Sequence, residues 1–454
     1  MITRRRSEST EQQTLKVIGF ICILSAPWWV YGLFFPFPSN YPIENNLPAL
    51  LLVLVLVLAL QIILLRRMTA GDHFMAEVMI VGFLLKLAAV SAYMFTSVRL
   101  YAGVADVFTY FFGGARIVEK FSLTGEWTLL QPFWNTNFIV MLTSVLIHVF
   151  GPAFQALMII FATVSYWGQY LFYRAFCIAF PTRQHKVAAL FMFFLPSIVF
   201  WTATIGKDAV IFFFIGGCCY GFAKMAQRAQ LSGLVTVLTS LGGVMLVRPH
   251  VAGMLAISFV GAYLVSRNRS GALGMAMKIC SIPLLLLASA YFVVQTRRSL
   301  DLRDVEQTRS VLKRTGDVNY QLSGSAFGGS LTYRLAAAPF LLFRPLPWEV
   351  RNPQMAIAAI EALGLMIFAW RRRRLVWSSV RKCRENAFVI FLWLYFLEFS
   401  LLFAGAMTNF GLLVRQKDML IPVALMIFLS QPLGSVKRLR SRDTNCFSLA
   451  APVH

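Results

Sequence analysis

Acidic residues are scarce in this chain: 19 Asp and Glu stand against 42 Lys and Arg, a formal net charge of +23 in 454 residues. Charged residues of either sign are themselves few, 13% of the sequence against 58% hydrophobic, and the mean hydropathy is +0.68. A soluble enzyme built round one core does not have this composition; a polytopic α-helical membrane protein does. In that setting the surplus of cations is expected in loops beside anionic lipid, and no nucleic-acid partner is implied. Histidine occurs five times, and Gly-x-Ser-x-Gly, His-x-x-x-His and Asp-x-Asp patterns are missing, so hydrolase nucleophiles and metal ligands find no support. The expectation is no cofactor and no metal. The seven cysteines include no Cys-x-x-Cys pair, and Cys218 and Cys219 are adjacent within one apolar run, which argues against a disulfide framework. Gly206-Lys207 is not a phosphate-binding Walker loop, because Trp201 and Asp208 occupy the places of its first Gly and its hydroxyl residue.

What is present is a series of apolar runs. An all-α polytopic integral membrane protein with about 12 transmembrane helices is expected, with spans near 15–35, 47–65, 77–98, 153–178, 187–203, 208–225, 232–247, 250–266, 273–295, 353–370, 386–406 and 418–431. Arg4–Arg6 ahead of the first run, with no persuasive cleavage site after it, indicates an uncleaved first span. Basic clusters at Arg66-Arg67, Lys224 and Arg371–Arg374 and in the tail Lys437–Arg442 share the cytoplasmic side, and both termini fall there. This orientation requires that Asn137–Phe150, only 14 residues, lie in the outer leaflet without crossing.

The polar chemistry then gathers outside. Asp106, Tyr110 and nearly Gly113 recur at helical spacing and would present one polar strip along the membrane surface. Two corners follow, Gly206-Lys207-Asp208 and Arg248-Pro249-His250. The long loop from Gln295 ends in Arg344-Pro-Leu-Pro-Trp348-Glu349, where two prolines fix the backbone and Trp suits the interface or a sugar face. The last outer loop carries Arg415 and Lys417. An outer vestibule with Lys207, Arg248, Arg344, Arg415 and Lys417 is suited to anions, above all a lipid phosphate or diphosphate. Arg334 and Arg351 join it, and His250 lies beside it. Asp106, Asp208 and Glu349 are the candidates for a general base or for orienting an acceptor hydroxyl. The corner at Lys207-Asp208 also has a plainer reading, as a helical hairpin marking the water interface. Lys86, Glu361 and Glu398 lie within spans, either as structural partners or as a proton or ion path. His148, in an apolar run, reads as a packing residue.

The order of these features resembles that of the GT-C superfamily of lipid-phosphate-sugar glycosyltransferases, over roughly Ala76 to Val265. Asp106 and Tyr110 match the Asp and Tyr that the first module helix delivers to an outer loop. Phe150-Gly151 matches the end of an outer amphipathic helix, Tyr173-Arg174 a cytoplasmic helix end, and Pro196 the helix returning outward. The single Asp departs from the acidic pair of many relatives, and two spans precede the module. The later part, with Asn409-Phe-Gly-x-x-x-Arg415, also resembles O-antigen and exopolysaccharide polymerases.

The resemblance implies a GT-C-like helical module with outer interfacial helices. It implies an enzyme of envelope polysaccharide biosynthesis in the bacterial cytoplasmic membrane, moving a sugar or oligosaccharide from a polyprenyl-phosphate-linked donor to a glycan or lipid acceptor. Asp106 and Asp208 would be catalytic. Lys207, Arg248, His250, Arg344, Arg415 and Lys417 would hold the donor phosphate, and Tyr110, Trp348 and Glu349 the substrate. The corresponding organisation is residues 1–76 as two N-terminal spans, 77–295 as the module with outer loop 99–152, 296–352 as an extracytoplasmic loop, and 353–454 as C-terminal spans with a basic tail. A transporter or flippase of lipid-linked saccharide, and a non-catalytic subunit of a polysaccharide machine, are the other readings.

Overall fold

The structure is a computed structural model that describes residues 46–69, 72–100, 105–180, 184–228, 230–266, 283, 338–350, 353–406 and 410–430. The expected spans at 15–35 and 273–295, the charged loop from Gln295 with Arg334, Arg351 and the basic tail lie outside the described residues. Among those described, every regular element is helical and no strand occurs. Helices are the natural outcome for such runs, since a backbone in lipid must satisfy its own polar groups.

Contacts divide the chain into two compact units, Met1–Trp167 with Ile198–Val210, and Gly168–Ser197 with Ile211–His454. In the first unit, α1 (Leu47–Met68) begins where the Asn46 side chain accepts the Ala49 N–H at 3.1 Å. Helix α2 (His73–Phe95) is capped in the same way by Asp72, which accepts from Met75 N–H at 3.1 Å. Next come α3 (Asp106–Thr124) and α4 (Thr136–Phe150), which pack along one another. Their crossing depends on glycine: a Cβ on Gly114 would lie 2.9 Å from the Ser144 backbone nitrogen. Helix α5 (Phe154–Ala179) contributes its first half here, and its Tyr166 hydroxyl donates to the Met79 carbonyl at 2.7 Å.

The second unit takes up the rest of α5, then α6 (His185–Phe194) and the start of α7 (Pro196–Trp201). Most of α8 (Lys207–Arg228) follows, with α9 (Leu231–Val247) and α10 (Pro249–Val265). After them come α11 (Pro353–Arg371), α12 (Arg373–Arg381), α13 (Ala387–Ala406), α14 (Phe410–Gln416) and α15 (Ile421–Leu429). Close approach of α8 and α9 again uses small residues, since a Cβ on Gly221 would meet the Gly233 carbonyl oxygen at 2.7 Å. Helix α10 packs along α13.

Among the described residues, five helices are long and apolar enough to cross a membrane: Leu47–Met68, His73–Leu100, Phe154–Ala179, Lys207–Gln227 and Gln354–Arg371. Other expected spans are interrupted or fall short of a full crossing. The run 187–203 is broken into α6 and α7 because Leu195, which precedes Pro196, is extended at ψ 124°. Helices α9 and α10 have 17 residues each, a rise of about 26 Å against a hydrocarbon core of about 30 Å. The run 418–431 begins with a tight turn at Lys417–Met419, and its helix α15 is only nine residues long.

Candidate functional site

The first unit holds one group of the residues singled out above. Ala105 is extended (φ −96°, ψ 145°) and Asp106 opens α3. An acid in a first helical turn is favoured by the partial positive charge of the unpaired N–H groups there. Asp106 is exposed, but Tyr110, one turn later, is buried. The two therefore do not form the single exposed strip expected from their spacing; the apolar face of α3 carries Tyr110 inward with Val107, Phe108 and Phe111. Its ring edge flanks the corner, since a Cβ on Gly206 would sit 3.5 Å from Tyr110 Cε2. Asp208 is buried in the first turn of α8, and Lys207 is half-buried at its start. Asp106, Tyr110 and the Gly206–Asp208 corner thus belong to one compact unit. His148 is exposed on α4, its ring edge-on to Phe121 at 5.4 Å and Trp127 at 5.6 Å, in keeping with a packing role.

Lys86 of the same unit is fully buried. Its ammonium donates to the carbonyls of Ile198 and Val199, both at 3.1 Å, and to the Thr202 hydroxyl. These are the carbonyls that the end of a short helix leaves without intrahelical partners, and a cation is favoured at that pole. Lys86 thus caps the end of α7, with two backbone oxygens and the Thr202 hydroxyl among its acceptors.

The second unit brings together three basic segments that are far apart in sequence. Glu349 turns back on its own loop: its Oε2 accepts from Leu346 N–H at 2.8 Å and from Arg344 Nε at 3.2 Å. Its Oε1 accepts from Arg344 Nη2, which completes a two-pronged ion pair. The short helical turn Pro347–Glu349, started by proline, sets this geometry. Arg344 and Glu349, expected to serve donor and substrate separately, are therefore paired with each other. The Arg344 carbonyl accepts from Lys417 Nζ at 2.9 Å. The adjoining residue Gln416 accepts from Arg248, so the segments around residues 248, 344 and 417 are joined at Gln416-Lys417.

Lys417 is fully buried and Arg248 nearly so, not open in a vestibule. Burial pushes the Lys417 ammonium below its usual range, and the nearby Glu361 and Asp418 carboxylates oppose that shift. Glu361 Oε2 accepts the Ser197 N–H at 2.7 Å, while its buried Oε1 has no hydrogen-bond partner among the described residues. Arg415 and His250 are half-buried, the His250 ring centred 6.1 Å from that of Phe403. Trp348 is 79% exposed, the freest large aromatic of the group. Glu398 accepts from the Ser258 hydroxyl at 3.1 Å.

Sequence reasoning missed Gln416 and, for Glu361, the partner rather than the residue. Gln416 carries no charge and stands out only by its place between Arg415 and Lys417. Glu361 is conspicuous as an acid within an apolar helix, but nothing in its own neighbourhood of the sequence points to Lys417, 56 positions later. Among the described residues no three His, Cys, Asp or Glu side chains converge in a metal-ligating group. No protein-family model, curated protein or solved structure matches the chain.

Proposed function

We propose that the protein is a membrane glycosyltransferase or polymerase of envelope polysaccharide biosynthesis, acting at the outer face of the bacterial cytoplasmic membrane. It moves a sugar or oligosaccharide from a polyprenyl-phosphate-linked donor to a glycan or lipid acceptor. In this reading the chain has about twelve spans with both termini in the cytoplasm, and the module around α2 to α10 is GT-C-like. The observation that carries the proposal is the bond from Lys417 to the Arg344 carbonyl. With Arg248 on the adjoining Gln416, it gathers cations from three remote segments.

Such a group has the charge to hold a donor phosphate and to neutralise it as it departs, an electrostatic contribution that is often the largest in catalysis. The Arg344–Glu349 pair fixes the loop that presents exposed Trp348 to a sugar face. Asp106, solvent-accessible at the head of α3, is the general base, and Tyr110 with Asp208 supports its surroundings.

Reconstitution with a polyprenyl-phosphate-linked sugar tests this, with glycan product and translocated donor scored separately. Asp106→Asn is expected to slow transfer about 10²–10⁴-fold with donor binding retained, because Asn keeps the shape but cannot take up the proton. Arg248→Ala is expected to weaken donor binding itself, since a charge-assisted contact contributes about 1.5–3 kcal/mol. Undiminished transfer by Asp106→Asn removes the base assignment.

A second reading, a flippase of lipid-linked saccharide, is favoured by the placement of Glu361 and Glu398 on α11 and α13. Translocation without product by the wild type, abolished by Glu361→Gln with Glu398→Gln, would select it.

A further inference from the structure

The junction of α11 and α12 has no part in the proposed transfer, yet it carries the densest run of cations among the described residues. Arg371, Arg373, Arg374, Arg381, Lys382 and Arg384 are exposed there, and Glu385 is the one acid beside them. Water alone does not account for this surface, because two tryptophans share it: Trp370 is 68% exposed and Trp377 is 59% exposed. Residues 373, 377 and 381 follow one another at four-residue steps along α12, and Trp370, at the end of α11, lies against the first of them, so cations and aromatics share one face rather than opposite faces. Within it the guanidinium of Arg373 lies 4.9 Å from the centre of the Trp370 ring, and that of Arg381 lies 5.2 Å from the centre of Trp377. Stacking of this kind occupies the flat face of the guanidinium; Arg373 Nη1 also donates to the Trp370 carbonyl at 3.2 Å, and the remaining N–H groups of the edge face outward to oxygen acceptors.

The other side of α12 is anchored. Ser379 is buried and accepts from Trp393 Nε1 at 3.1 Å, while Arg372 donates to the Gln184 side chain at 2.6 Å and lies over Phe368. The stripe is thus held outward by a fixed inner face. Its neighbour α11 identifies what covers it. That helix is apolar enough to span a membrane, and its exposed Ile357, Ile360 and Ile367 form an outward surface suited to acyl chains. This surface continues without a polar break to Trp370, and the cations begin at the next residue. Apolar side chains, then tryptophan, then arginine is the order in which a helix meets hydrocarbon, interface and phosphate.

We propose that the end of α11 and α12 form a binding surface for anionic phospholipid headgroups, in which Arg373 and Arg381, stacked on Trp370 and Trp377, hold the phosphates. The surface fixes the depth of α11 in the bilayer and ties the protein to membrane regions rich in anionic lipid.

The test uses the full chain in nanodiscs of phosphatidylcholine with increasing phosphatidylglycerol, either lipid being brominated to quench tryptophan on contact. The fluorescence difference between wild type and Trp370→Phe/Trp377→Phe isolates these two rings. Brominated phosphatidylglycerol is expected to quench them at lower membrane fractions than brominated phosphatidylcholine. Each arginine near an anionic surface is worth about fivefold in affinity, so Arg373→Gln/Arg381→Gln is expected to reduce the preference on the order of thirtyfold. Arg373→Lys/Arg381→Lys keeps the charge and is expected to retain most of it, which separates electrostatic loss from misfolding. Equal quenching by the two lipids, no quenching of the two tryptophans, or a preference that survives the double Gln change would each overturn the proposal.

Discussion

Lys86 in the first unit and Lys417 in the second are both 0% exposed, yet the two units hold them by different means. Lys86 gives its donors to two carbonyls and a hydroxyl at the end of one short helix. Those acceptors are neutral, local to residues 198–202, and positioned by the helix itself. Lys417 gives a bond to one carbonyl, on a loop 73 residues away, and it feels two carboxylates, Glu361 and Asp418. A cation held by fixed dipoles is a fastening. A cation balanced among acids, with an arginine on the neighbouring residue, has a charge state that an arriving anion can alter. In the proposed function, the contrast gives the first lysine to the fold and the second to donor binding.

The largest effect expected from breaking this contrast is on stability. Lys86→Met takes a donor from the buried Ile198 and Val199 carbonyls, of which Ile198 keeps the Thr202 hydroxyl, and should cost about 3 kcal/mol. Turnover per folded molecule and donor affinity should stay near wild type. Lys417→Met should lower donor affinity clearly in the same assays. Thermal unfolding in detergent, with donor titration on the surviving folded fraction, compares the two. If Lys86→Met weakened donor binding as much as Lys417→Met, the division of roles would fail.

A smaller effect separates shape from charge in the first unit. Gly114→Val places its Cβ against the Ser144 backbone, 2.9 Å away, and neither element can yield easily where helix meets helix. Overpacking of this kind costs about 1–3 kcal/mol. Gly125→Ala meets nothing within 4 Å but must adopt φ +71°, so its cost should be about 1 kcal/mol. Melting temperatures of the two variants check the order. A Gly125 variant less stable than the Gly114 variant would mean that α3 and α4 are not closely packed.

These contrasts mark what local sequence carries. The helical, membrane-type character follows from apolar runs, and the short helix α4 appears within one residue of the expected run at its start. The turn at Arg344–Glu349 is also legible, because Pro347 starts it and its acid and base lie five residues apart. The acceptors of Lys86 are not legible: they lie 112 to 116 residues away, and two of the three are backbone oxygens, which every residue possesses. Spacing places Tyr110 on the same face of α3 as Asp106, but Tyr110 is buried, with the Gly206 corner, 96 residues further along the chain, against its ring. The break at Pro196 was available from the residue before a proline, and the length of the apolar run concealed it.

Within the second unit, the Arg344–Glu349 pair gives a subtler test. Glu349→Gln keeps an acceptor for Leu346 N–H but removes the charge that holds Arg344. The side chains are only 13% and 8% exposed, so the stability change should be about 1–3 kcal/mol. Donor affinity is the informative readout: an Arg344 released from Glu349 is expected to bind the donor phosphate more tightly, while transfer slows because the loop carrying Trp348 is less well set. Weaker donor binding together with slower transfer would instead make Glu349 a direct substrate contact.

The finest test of the contrast uses pH. Lys417 in the folded protein lies below its ordinary value of 10.5 because burial disfavours the charged form, with Glu361 and then Asp418 acting against that shift. Between the folded value and 10.5 the unfolded chain still carries the proton that the folded chain has shed. The unfolded state then binds more protons, so stability rises with pH across that window and is flat, as far as Lys417 is concerned, below it. Lys417→Met should remove this rise, seen as the difference between the two unfolding curves over the alkaline range. Saturating donor supplies a further negative charge beside the ammonium and should hold its proton to higher pH, moving the onset of the rise upward. An onset that donor leaves in place would separate Lys417 from the donor phosphate and return it to the same structural standing as Lys86.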